Sequence, residues 1–331
     1  MYYKMLLIFM LIVGSAAFKP ADRAQLKEAV DLCDTLSTCY ICPDTSAGIV
    51  QKNTSTAGEC GAAHISSWDT SDVTSMKNLF SGKTANTADV SAWDVSKVTN
   101  FESMFQQNSV FDVDLSGWDV SSGKVFASMF ADGTAFNQDI SSWDMSSATD
   151  TSYMFINTYN FNQDISGWDT SLVNTMQGMF FASQVFDQDI SPWNTGRVTS
   201  LSSMFVMSVK FNQDISCWNV SQVTDFSFMF YLSPVFNQSL CWTYDSTVNT
   251  HSMFESSSGS LKTNCTCASA PSASHCSELD CSNFGGYAAG ACTDCSIPSC
   301  CNYATSALFS THCDTLSQND YIESRCCDRT C

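Results

Sequence analysis

The eight tryptophans constrain this chain more than any other feature. They stand at Trp68, Trp93, Trp118, Trp143, Trp168, Trp193, Trp218 and Trp242, spaced by 25 residues at every step but the last, which is 24. Other positions keep the same period. A Met-Phe pair follows each Trp from the second onward, from Met104-Phe105 to Met253-Phe254, and Leu79-Phe80 takes its place in the first unit. A further Phe recurs at 111, 136, 161, 186, 211 and 236. An aliphatic residue stands three before most Trp: Ile65, Val90, Leu115, Ile140, Ile165, Ile190 and Ile215. A fixed period in this range means stacked units, each burying its apolar face against its neighbours.

Each unit reads as two elements. Val73, Met76, Leu79 and Phe80 fall on one face of a short helix. The residue three after Trp is Ser71, Ser96, Ser121, Ser146, Ser171 or Ser221, with Gly196 and Asp245 as exceptions, and all three types are favoured helix N-caps. The stretch from Asp139 to Trp143 reads as a short parallel strand. Twenty-five residues are too few for two helices, and they fit the leucine-rich-repeat range of one strand and one short helix or 3₁₀ turn. The expected fold is therefore an α/β repeat solenoid of eight rungs over residues 61–256, with a three-sided β-helix as the alternative. Strands stacked about 4.8 Å apart make it a rod roughly 35–40 Å long.

The best unit reads FNQDISxWDxSxVTxMxxMF, and FNQDIS-x-W recurs nearly intact at Phe136, Phe161 and Phe211. This motif resembles the BspA-type leucine-rich-repeat-like surface proteins. The resemblance covers residues 61 to about 256 and implies an exported or surface protein with an adhesion or interaction role.

The flanks fit an exported chain. Lys4, the apolar run Met5–Val13 and the small residues Gly14-Ser15-Ala16-Ala17 make a signal peptide over 1–17, with Phe18 as the first mature residue. That run is too short to span a bilayer, and no second one follows. Residues 18–60 read as an N-terminal cap, helical from Pro20 through Cys33 and stapled by Cys33, Cys39, Cys42 and Cys60. Residues 257–264 read as a Ser- and Gly-rich linker. From Cys265 to Cys331 there are twelve cysteines, a density that implies a small disulfide-held module. Cys217 and Cys241 are the only cysteines within the rungs. Both precede a Trp in consecutive units, so stacking predicts a disulfide between them. Asn53, Asn219, Asn237 and Asn264 are glycosylation candidates.

Charge and spacing bound the function. A net charge of −19 argues against nucleic acid and anionic membranes. Asp89, Asp114, Asp139, Asp164, Asp189 and Asp214 sit four before Trp, and Asp69, Asp94, Asp119, Asp144 and Asp169 sit one after. Aligned carboxylates repel, so such rows need donors or cations. Calcium is one reading and turn capping the other. The Trp and Phe rows are expected as core, against the alternative of a sugar-stacking strip. The four histidines, His64, His251, His275 and His312, share no motif, and no catalytic constellation recurs. Cys265-x-Cys267 and Cys292-x-x-Cys295 have zinc-compatible spacing, but disulfides are the expected fate in an exported chain. The expectation is a secreted or cell-surface, non-enzymatic protein that binds an extracellular protein or glycan. The alternative is a structural or calcium-binding matrix component.

Overall fold

The structure is a computed structural model that describes residues 18–31, 40–43, 50–53, 63–84 and 88–262. The expected signal peptide, the cysteine-rich stretch 265–331, Asn264, and Cys33, Cys39 and Cys60 lie outside the described residues.

The Trp residues explain how one unit meets the next. Every Trp is 3–5% exposed. Neighbouring indoles stack with centroids 6.1 Å apart at Trp68–Trp93 and 6.3–6.5 Å apart from Trp118 to Trp242. From Trp93 onward each indole N–H also donates to the carbonyl of the aliphatic residue in the preceding unit. Trp93 Nε1 reaches Ile65 O at 2.8 Å, and the series continues to Trp242 Nε1 on Ile215 O at 3.2 Å. A phenyl ring could fill the space but could not make this bond. Two Phe columns run beside the Trp column. The rings of the Met-Phe pairs repeat at 5.5–5.8 Å, as at Phe80–Phe105 and Phe130–Phe155. Within a unit, Phe105 and Phe111 lie 3.9 Å apart. Each such ring buries about 150–250 Å², a gross gain of roughly 4–6 kcal/mol.

The backbone follows the same period. One residue per unit, seven after Trp, forms a parallel bridge to its counterpart, in an unbroken ladder from Ser75 through Asn100, Val125, Asp150, Thr175, Ser200 and Asp225 to Asn249. Around it, N–H groups alternate. Those at Trp+8, +10, +12 and +14 donate to the next rung, as Phe101 N to Val125 O (2.8 Å) and Phe105 N to Met129 O (2.9 Å). Those at Trp+11, +13 and +15 donate three residues back within the rung, as Met104 N to Phe101 O at 3.0 Å. Each rung is thus a run of reverse turns. The short helix expected after each Trp is not among the described elements, nor is a strand at Asp139–Trp143. The reason is a left-handed residue at Trp+10 and another at Trp+14 in every rung. Asn78 (φ 55°) and Gly82 (φ 74°) begin the series, and Ser252 and Ser256 end it. Two left-handed residues four apart interrupt any right-handed helix. Among them only Gly82 and Gly178 are glycine. At Gly178 a Cβ would stand 2.3 Å from the Tyr153 ring.

The Ser expected as N-cap has a different role. Its N–H donates to the Asp one after Trp, as Ser71 N to Asp69 Oδ1 at 3.1 Å and Ser121 N to Asp119 Oδ1 at 3.1 Å. The Asp is the acceptor that shapes the turn, and Ser is its donor.

The N-terminal side is closed by α1 (Arg23–Asp31), whose Leu26, Ala29 and Val30 are buried against the first rung. Phe18 packs edge-on to Trp68 at 5.0 Å, and Asp69 N donates to Phe18 O at 2.9 Å. β1 (Tyr40–Pro43) pairs antiparallel with β2 (Val50–Asn53) and with β3 (Ala63–His64). A 3₁₀ turn (Ile65–Ser67) leads from β3 into Trp68. At the other end β4 (Ser239–Leu240) pairs in parallel with β5 (Ser260–Leu261). Up to Lys262, then, the stretch expected as a linker is pinned along residues 236–240 of the last rung, with Ser258 N on Phe236 O and Lys262 N on Leu240 O.

Candidate functional site

The stacking directs nearly every large apolar ring inward and leaves three kinds of surface row. The first is the aspartate row four before Trp. Asp114, Asp139, Asp164, Asp189 and Asp214 each accept the N–H two residues on at 2.9 Å, and Asp89 accepts that of Ser91 at 3.1 Å. The Ser116 N–H and hydroxyl hold the Asp114 carboxyl below its ordinary range. In the companion row one after Trp, the Ser96 hydroxyl and N–H do the same at Asp94. These carboxylates therefore have donors within their own turns. No three His, Cys, Asp or Glu side chains converge into a group that could hold a metal ion among the described residues.

The second row is an amide ladder. Asn137, Asn162, Asp187, Asn212 and Asn237 each donate their N–H to the side-chain oxygen one rung earlier, at 2.9–3.0 Å. From Gln163 onward the Gln beside each reaches back in the same way, as Gln163 Nε2 to Asn137 O at 2.8 Å and Gln238 Nε2 to Asn212 O at 2.8 Å. The recurring Asn-Gln pair is explained by this axial bonding.

The third row was missed by sequence reasoning. The exposed large apolar residues among those described are Val110, Tyr159, Val185, Met207, Val209, Leu232, Val235 and Leu261. All but Leu261 fall at Trp+14, +16 or +17, which is one longitudinal edge of the stack. Val185, Met207, Val209, Leu232 and Val235 come from three consecutive rungs and are 38–44% exposed. The signal was present as apolar residues off the core period, but each looks isolated until the rungs are aligned.

The cysteine expectation is corrected. Cys241 is disulfide-bonded, whereas Cys217 is an exposed thiol with Sγ 4.0 Å from Ser216 Oγ. The expected Cys217–Cys241 bridge does not form. In earlier rungs the Trp N–H closes a turn on the aliphatic carbonyl three residues before, as Trp218 N on Ile215 O at 3.1 Å. In the last rung Leu240 is only two before Trp242, and it pairs with Leu261 instead. That deletion removes the turn and shifts the register of Cys241. A shallow open hollow beside it is lined by Ser216, Trp218, Asn219, Cys241, Trp242 and Thr243.

Of the glycosylation candidates, Asn219 and Asn237 are exposed. Asn219 Oδ1 accepts the Ser221 N–H at 3.1 Å. Asn53 lies in β2. No helix of the described residues is long and apolar enough to cross a membrane.

The family described as "Mycoplasma protein of unknown function, DUF285" matches the chain twice, over residues 50–168 and 153–266. No curated protein and no solved structure matches the chain.

Proposed function

The chain belongs to the DUF285 family, and from that premise we propose that it is a secreted or cell-surface repeat solenoid of the BspA-like kind, without catalytic activity, that binds an extracellular protein. The observation that carries this reading is the apolar edge at Trp+14 to +17, concentrated in Val185, Met207, Val209, Leu232 and Val235. Contiguous apolar surface rimmed by polar rows is characteristic of protein contact sites. A protein is favoured over a glycan because sugar recognition draws on exposed aromatic rings. Here the Trp and Phe columns are buried, and Tyr159 is the one aromatic on that edge. The repeat pattern, the leader-like residues 1–17 and the cysteine count support an extracellular address.

The test presents the immobilised full chain with purified extracellular-matrix proteins and, separately, with a glycan array. Binding to a protein that is lost in V185E/L232E/V235E, but kept in D164N/D189N on the aspartate row, supports the reading. Binding that survives the edge substitutions, or that goes only to glycans, overturns it.

A further inference from the structure

The chain has 14 methionines, of which Met1, Met5 and Met10 lie outside the described residues. Ten of the remaining eleven are at most 4% exposed, and the eleventh, Met207, is 38% exposed. Met204 and Met207 stand three residues apart in one rung and meet opposite surroundings. Met204, the core member at Trp+11, has no exposed surface, and its N–H turns back to Leu201 O at 3.2 Å. Met207, at Trp+14, has left-handed backbone (φ 55°) and donates across to Tyr231 O at 2.9 Å. Its side chain is left on the outside of the stack.

The same row places Met207 within the apolar edge. The early rungs carry Gln107, Asp132 and Asn157 at Trp+14, and the later ones carry Ala182, Met207 and Leu232. We propose that Met207 is an oxidation site that regulates this edge: a peroxide converts its thioether to the sulfoxide, which makes the middle of the edge polar and weakens protein contact there. The regulatory part rests on the reading of the edge as a contact surface; the site itself rests on exposure alone.

In this step the sulfur lone pair attacks one peroxide oxygen. An S–O bond forms as the O–O bond breaks, the oxygen bound to sulfur gives up its proton to the departing hydroxide, and water leaves. The thioether is oxidised by two electrons and the peroxide is reduced. Attack needs open approach to sulfur, which burial denies to the ten core methionines and exposure allows at Met207. The product carries a strong hydrogen-bond acceptor where a soft apolar atom stood. Its neighbours in the row, Ala182 and Leu232, have no side-chain donor for that oxygen. An apolar partner laid on the edge then leaves the oxygen dry and unsatisfied, which disfavours contact. The core is spared, because Met207 contributes no ring or methyl group to the buried columns, whereas a sulfoxide at Met204 would stand among them.

The test treats the folded full chain with dilute hydrogen peroxide and follows each methionine by tandem mass spectrometry. Met207 should gain one oxygen at least about tenfold faster than Met204 and the other core methionines, with the melting temperature unchanged. A phenyl-agarose column then serves as the apolar probe. Retention of the wild-type chain should fall on oxidation, and retention of Met207→Leu should not. Oxidation of Met204 or another core methionine at the rate of Met207 overturns the site. Selective oxidation of Met207 with unchanged retention, or an equal fall in Met207→Leu, overturns the regulation. The unoxidised V185E/L232E/V235E variant separates this from the reading beneath it: retention equal to wild type would overturn the edge as the apolar surface, and the regulation with it, while leaving the site standing or falling on the mass spectra.

Discussion

The two ends of the repeat meet the same physical problem with different chemistry. At the N-terminal end, a helix lays Leu26, Ala29 and Val30 on the first rung, Phe18 covers Trp68, and Arg23 occupies a first-rung carbonyl. Charge reinforces this end. Lys19 pairs with Asp69 (3.2 Å) and Asp72 (2.9 Å), Lys97 with Asp72 (3.0 Å), Lys83 with Asp31 (3.3 Å) and Lys77 with Glu102 (2.6 Å). The ion pairs joining two described residues all lie within this region. At the C-terminal end the last rung is one residue short, its axial donors have no described acceptor, and the fixed points are a two-residue parallel pairing and the disulfide at Cys241. The upstream end of a parallel stack presents carbonyls, which a cationic side chain can satisfy. The downstream end presents N–H groups, which backbone, carboxylate or water oxygens can satisfy. Unlike caps are therefore expected of any such stack.

Three substitutions and two changes of solvent sharpen this comparison. The largest effect is expected at the helix cap. Leu26→Ala removes a side chain with no exposed surface and should cost about 2–5 kcal/mol. Phe254→Ala at the other end should cost less, about 1–2 kcal/mol, because that ring is only half-buried. Urea denaturation of both variants checks the order, and a larger loss from Phe254→Ala would reverse the reading of which end is better packed. Next, Arg23→Met keeps the apolar stem but removes the donors to Lys77 O. The expected loss is about 1–2 kcal/mol, with faster exchange confined to the first two rungs. Uniform loss along the stack would deny Arg23 a capping role.

The smallest effect is expected from acid and salt. The Ser71 hydroxyl and N–H, with Lys19, hold the Asp69 carboxyl below its ordinary value of about 3.8. Lys19 and Lys97 do the same for Asp72. At Asp31 partial burial pushes upward and is outweighed by Lys27 and Lys83. Carboxylates lowered by folding contribute stability that is present above about pH 3.8 and lost as pH falls through their folded values. Melting temperature should be flat from pH 7 to 5 and fall below pH 4. Salt near 1 M should loosen the first rungs before the last, since screening then acts within about 3 Å. Equal salt sensitivity at both ends would show that the ion pairs contribute nothing measurable.

Much of this molecule can be read from residue spacing, because stacking repeats one environment per 25 residues and every core position must satisfy it. The Trp, Met and Phe rows were legible as core for that reason, and so was Arg23–Asp31 as a helix with Leu26, Ala29 and Val30 on one side. The aspartate rows were legible as either turn acceptors or cation ligands, and local geometry gives each a donor two residues on. The turns at Trp+10 and +14 were not legible. Left-handed backbone is usually announced by Gly or Asn, yet Tyr153, Ala182, Met207, Phe228 and Leu232 adopt it here, held by bonds to the next rung. The apolar edge escaped notice because its residues share no single register position. The fate of Cys241 turned on one deleted residue, whose effect depends on which strand the displaced Leu240 finds. Sequence alone determined the period, the inward rows and the polarity of the surface, since these follow from side-chain type and spacing. Tertiary structure decided the handedness of each turn, the partner of each axial N–H and the alignment of the last rung, because those are set by bonds between residues 22 to 25 apart that no local preference encodes.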